Sequence, residues 1–84
     1  MYEKFIKNNI NLLSPSITKS FLKKKGIFVN DQEAAAITNI AKEKWPELYN
    51  KNYQNAFTLL KGKVSEDTHQ KLLNLYLKTI KEYL

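Results

Sequence analysis

The chain holds 84 residues and 14 lysines but no arginine or cysteine, and against eight carboxylates this gives a net charge of +6. Without cysteine, and with one histidine, it can build neither a disulfide framework nor the usual zinc ligand set. A domain this short buries only about 60% of its unfolded surface, so helix packing, alone or with a partner subunit, has to supply the stability.

The first predicted element is an amphipathic helix over residues 2–13. Tyr2, Phe5, Ile6, Ile10 and Leu13 share one face, and Lys4, Lys7, Asn8 and Asn11 fall largely on the other. The mostly asparagine polar face favours packing into the core over lying on a membrane. Ser14 then offers an N-cap and Pro15 suits the first helical position, which starts a second helix running to about Lys25. Ile17, Phe21 and Leu22 form its apolar stripe. Lys19 and Lys23 project together on the opposite side, while Lys24 and Lys25 turn toward the edges of the apolar face. Gly26 is placed to end the helix in the left-handed conformation, and residues 27–29 form a short extended connector.

Asn30 is the expected N-cap of a third helix, with Glu33 reaching back as in a capping box and Asp31 adding charge at the positive end of the dipole. Ala34, Ile37, Ile40 and Ala41 face inward. The helix should end before Pro46, because the residue ahead of a proline is steered away from helical backbone. Asn50 or Asn52 is the expected cap of a fourth helix ending near Lys61, with Gly62 as its stop. Ser65 caps the last helix, whose apolar residues Leu72, Leu73, Tyr76, Leu77, Ile80 and Leu84 make either the centre of the core or a dimer seam. These elements predict an all-α fold, a compact bundle of four to five short helices in a single domain over residues 1–84.

Active-site chemistry finds little support. His69 has no second histidine or cysteine to converge with, which a metal site or a general base with an orienting partner would need. Serines stand only at positions 14, 16, 20 and 65, none in a nucleophile elbow, and glycines only at 26 and 62, too few for a phosphate loop. The expectation is a protein that is not an enzyme, with no cofactor, no metal and no small-molecule substrate. Trp45, Tyr49, Tyr53 and Phe57 recur at helical spacing and read as core rather than a base-stacking platform.

Two surfaces remain as candidates. The apolar stripe Leu73, Leu77, Ile80 and Leu84 suits a protein partner or a homo-oligomer, and this interaction role is the leading expectation. The alternative is a nucleic-acid-binding module using Lys19, Lys23, Lys24 and Lys25, with Lys4 and Lys7 nearby. Residues 1–30 carry six lysines against one glutamate, a field that attracts polyanions. The lack of arginine removes the bidentate fork that reads guanine edges. The longest apolar run is the tetrapeptide of residues 34–37, against the ~20 residues a spanning helix needs. The opening MYEKFIKNNINLL lacks the apolar centre of a secretory leader. No membrane association and a cytoplasmic location are therefore expected.

Phe21, Leu22, Lys23, Lys24, Lys25, Gly26 and Ile27, followed by a capped helix, resemble the helix–extended-loop–helix pattern of SAP-type DNA-binding modules over residues 13–41. The resemblance implies a DNA-facing second helix, but Asn30, Asp31 and Glu33 depart from it by placing carboxylates where phosphates would sit. The chain as a whole, through YEKFI, GIFVNDQEAAAI and KVSEDTHQKLLNLY, looks like a family of small uncharacterised helical proteins of Gram-positive bacteria of the Bacillus and Staphylococcus type. That resemblance implies a fold and a bacterial host rather than an activity.

Overall fold

Local capping chemistry sets most of the element boundaries. The computed structural model describes the backbone of residues 10–83 and the side chains of residues 10–79. The helix expected over residues 2–13 falls outside the described residues except at its end, where the Leu13 N–H donates to the Ile10 carbonyl at 3.1 Å. Helix α1 (Pro15–Lys24) starts as expected: the Ser14 hydroxyl accepts from the Ile17 N–H and Pro15 occupies the first turn. It ends in a Schellman motif, with Ile27 N–H bonded to the Leu22 carbonyl and Gly26 N–H to the Lys23 carbonyl. Gly26 takes φ 82° there, a conformation that costs other L-residues ~1–2 kcal/mol. The connector alternates as an extended segment must: Ile27 and Val29 are buried, and Phe28 between them is 71% exposed.

Helix α2 (Asp31–Tyr49) opens on a complete capping box. The Asn30 side chain accepts from the Glu33 N–H at 2.7 Å, and Glu33 Oε1 accepts from the Asn30 N–H at 3.1 Å. The expected stop before Pro46 is wrong, since α2 runs through Pro46 to Tyr49. Proline deletes one donor from the ladder, but the turn beyond it is held by two contacts from outside the helix and one ion pair within it. The Tyr76 hydroxyl donates to the Leu48 carbonyl, Asn55 Nδ2 donates to Glu47 Oε1 at 2.8 Å, and Lys44 Nζ lies 3.5 Å from Glu47 Oε2. A second Schellman motif closes α2, with Asn52 N–H on the Glu47 carbonyl and Lys51 N–H on the Leu48 carbonyl. Lys51, at φ 68°, fills the left-handed position that glycine usually takes.

Helix α3 (Gln54–Leu60) begins after Tyr53, which supplies no side-chain cap. The expected caps are not used: the Asn50 amide instead donates to the Pro46 carbonyl at 2.9 Å. Gly62, at φ 85°, turns the chain, and helix α4 (Glu66–Tyr83) follows with Ser65 Oγ accepting from the Thr68 N–H at 3.1 Å. The four helices form an all-α bundle with no strand among the described residues, only a single bridge between Lys61 and Val64. The Cα radius of gyration is 12.0 Å, close to the ~12 Å that packed chains of this length adopt.

The core gathers Leu22 from α1, Ile27 and Val29 from the connector, Ala34 and Ile40 from α2, Ala56 and Leu60 from α3, Val64, and Leu72 from α4. Helix α2 packs backbone-close against α1 and α3, whereas α4 approaches closely only α3 among the described helices. Where α1 crosses α2, Ala34 is 1% exposed and the Thr18 and Thr38 hydroxyls meet at 2.6 Å. No helix of the described residues is long and apolar enough to cross a membrane.

Candidate functional site

Because α4 stays back from α1 and α2, an apolar groove of about 470 Å³ opens between the four helices, within the ~300–1,000 Å³ typical of ligand sites. Helix α1 contributes Ile17, Thr18, Phe21 and Leu22, and α2 contributes Ile37, Ile40, Ala41 and Leu48. Ala56, Phe57 and Leu60 of α3 and Leu72, Leu75, Tyr76 and Thr79 of α4 complete the wall, with Leu13 at one end. Its three hydroxyls are already bonded within the protein. Thr18 meets Thr38, Tyr76 donates to the Leu48 carbonyl, and Thr79 donates to the Leu75 carbonyl at 2.8 Å. The surface left for an occupant is hydrocarbon and aromatic. Phe21 and Ile17 stand at the lip, 51% and 52% exposed.

The aromatic end of the groove is braced. Tyr53, Phe57 and Tyr76 pack at centroid distances of 5.4–6.0 Å, so the expected reading of this stripe as core material holds for Tyr53 and Phe57. His69 packs edge-on to Phe57 with centroids 5.5 Å apart, and its Nε2 lies 2.8 Å from the Phe57 carbonyl. A carbonyl only accepts, so Nε2 carries the proton and His69 ties α4 to α3 as a structural boundary residue. Burial, with a smaller effect from Tyr53, pushes the Tyr76 phenol above its ordinary value of 10.0. Among the described residues no three His, Asp or Glu side chains converge as metal ligands would.

A second cleft, of about 510 Å³, adjoins the groove. Lys25, Gly26 and Ile27 form one side, and Lys71, Asn74, Leu75, Lys78 and Thr79 of α4 form the other. Leu75 and Thr79 belong to both spaces. Lys25 Nζ stands 5.7 Å from the Phe21 ring centroid, which places a cation at the groove's lip. Lys71 is ion-paired with Asp67 at 3.0 Å.

The sequence-based lysine set is not gathered into one grip. Lys19 binds Asp31 at 2.8 Å and holds that carboxyl below its usual range through the hydrogen bond and its charge. Lys23 and Lys24 are exposed in the last turn of α1. Lys25 faces α4 across the cleft, about 120° or more around the helix from Lys19 and Lys23 at 100° per residue. The groove uses a different face of α4 from the expected stripe Leu73, Leu77, Ile80 and Leu84. Leu73 is half-buried and Leu77 40% exposed, and the side chains of Ile80 and Leu84 lie outside the described residues. The groove instead uses Leu72, Leu75, Tyr76 and Thr79, roughly a third of a turn away. Leu75 and Lys71 were not singled out by sequence reasoning; the i, i+3, i+4, i+7 spacing of 72, 75, 76 and 79 is the signal that would have found this face.

No family model matches the chain, and no curated protein or solved structure does.

Proposed function

We propose that this protein is a non-enzymatic protein-interaction module that receives an amphipathic helix of a partner protein in the groove between its four helices. One observation carries the reading: an open apolar groove whose hydroxyls are all turned inward to partners within the protein. Helix-in-groove recognition needs this surface, with apolar anchors at i, i+3 or i+4 and i+7 entering a hydrophobic trough. The expected self-association is a variant of the same role. Two copies each carrying +6 repel one another, which favours a partner of different sequence.

The test is a methyl-resolved NMR titration with a helical peptide presenting Leu and Phe at that spacing. Shifts confined to Ile17, Ile37, Ile40, Leu72 and Leu75, saturating below ~1 mM, support the reading. Unmoved methyl signals sink it. A second reading, binding of nucleic acid, rests on the exposed Lys23 and Lys24 together with Lys25. It requires binding that weakens steeply with salt, and a flat low-salt anisotropy titration with duplex and single-stranded oligonucleotides removes it.

A further inference from the structure

The groove and the lysine cleft are one continuous surface. Leu75 and Thr79 form a wall of each, and the Lys25 ammonium lies 5.7 Å from Phe21, a groove residue. Lys71 and Lys78 are seven residues apart on α4, two turns or ~10 Å along the axis and on one face. Lys25 stands across from them at the end of α1, and the Asn74 amide lies between the two α4 lysines. A helix lying in the groove therefore has hydrocarbon along one side and ammonium groups along an edge.

We infer that the partner helix is acidic beside its apolar face, with apolar anchors in the groove, carboxylates spaced at i and i+7 facing Lys71 and Lys78, and a third carboxylate facing Lys25. This rests on the interaction role proposed above and specifies its partner. Among the described residues, the carboxylate paired to this lysine set is Asp67, an exposed side chain in the first turn of α4. An incoming carboxylate competes with it at little loss, because exposed ion pairs contribute only ~0–1 kcal/mol. A second copy brings +6, and residues 1–9 of this chain, whose apolar face is expected to pack inward, bring two lysines against one glutamate and so match the lysine edge less well than an acidic partner does. The net charge of the protein also steers an acidic partner toward it before contact.

The experiment uses the full chain and three helical peptides with identical Leu and Phe anchors, flanked by Glu, Gln or Lys. Affinities are read by calorimetry at low salt and at ~0.3 M salt. The Glu-flanked peptide should bind about tenfold more tightly than the Gln-flanked one at low salt, with the Lys-flanked peptide weakest and the spread collapsing at high salt. The triple variant Lys25→Gln, Lys71→Gln, Lys78→Gln should erase the Glu advantage, so that the Glu-flanked and Gln-flanked peptides bind it equally. Equal affinity of all three peptides overturns the acidic flank while the groove reading stands. Binding of none overturns both. Three further results overturn it: a dimer by sedimentation equilibrium that blocks the peptides, proton–proton contacts in the free chain from residues 2–9 into the groove methyls, or binding of an oligonucleotide but no peptide that the triple variant abolishes.

Discussion

Removing the Thr38 hydroxyl alone should harm the protein more than removing both hydroxyls of the Thr18–Thr38 pair. Thr38 is 1% exposed and Thr18 5% exposed, with their Oγ1 atoms 2.6 Å apart. Thr38 Oγ1 donates its single proton to the Ala34 carbonyl at 2.7 Å, so the proton between the two threonines belongs to Thr18. Thr18→Val leaves Thr38 with its donated bond and removes one net hydrogen bond, about 1 kcal/mol. Thr38→Val strands a buried donor on Thr18, which costs about 1–3 kcal/mol. In the double valine variant nothing is stranded, the methyl volume is kept, and the loss should fall back to about 1 kcal/mol or less. Taking 2 kcal/mol for Thr38→Val as roughly the middle of that range, the coupling energy comes to about −2 kcal/mol. Urea unfolding of the four proteins in the cycle measures it from midpoint shifts at constant slope. In thermal melts Thr38→Val should lose roughly 8–16 °C, since each kcal/mol moves a domain this size by about 4–8 °C. Additivity of the two single variants within ~0.5 kcal/mol would refute the bond and the proton assignment.

Glu33 spans two helix starts, its Oε1 accepting from the Asn30 N–H and its Oε2 from the Ser65 N–H at 3.0 Å. Glu33→Ala should cost about 1–3 kcal/mol in urea unfolding, and Glu33→Gln about half of that, because its amide keeps one acceptor oxygen for two donors; equal losses would contradict the bridging role. Tyr76→Phe should cost about 0.5–1.5 kcal/mol by leaving the Leu48 carbonyl without the phenol. The folded chain holds the Tyr76 proton more tightly than the unfolded chain does, so that contribution is complete below pH 10.0 and lost as pH rises past the raised folded value. Stability measured across that window should fall more in the parent chain than in Tyr76→Phe, and parallel curves would reject the burial argument. Pro46→Ala restores a donor toward the Lys42 carbonyl inside α2 and should stabilise the protein by about 2 kcal/mol, the helix gain less the stiffening proline gives the unfolded chain. Destabilisation on that change would mean the chain is not helical through residue 46.

What could be read from the sequence was what is decided within four or five residues. Ser14 and Ser65 cap because a hydroxyl reaches an amide three residues on, and Asn30 with Glu33 closes its box over the same distance. Gly26 ends α1 for a reason internal to one residue, its φ of 82°. Pro46 misled because the forces that override it come from afar: Tyr76 is 28 residues from Leu48, and Asn55 is eight from Glu47. Lys51 hid the second Schellman motif, since its side chain gives no sign of a left-handed backbone. The groove was illegible for a related reason. Periodicity marks which residues of α4 are apolar, but the stripe that faces inward depends on where α1, α2 and α3 stand.

The same geometry explains why the groove is open. Helix α4 is fixed at its start by Ser65 and Glu33, and along its length by the His69 bond to Phe57 and the Tyr76 bond to Leu48. Each of these is a polar strut that sets a distance, and none draws α4 down onto α1. A groove made by loose packing would close when α4 shifts inward, gaining ~25 cal/mol for each Å² of apolar surface it covers. Here that movement has to break bonds at partly buried groups, each worth about 0.5–1.5 kcal/mol. The struts therefore hold the trough open, and the proposed partner helix would enter a site already shaped, with less ordering to set against its binding energy. If the struts are what hold it open, a Tyr76→Phe, His69→Phe variant that stays folded should bind the acidic peptide less tightly than the parent although neither polar group touches the peptide. Unchanged affinity in that variant would place the origin of the groove elsewhere in the packing.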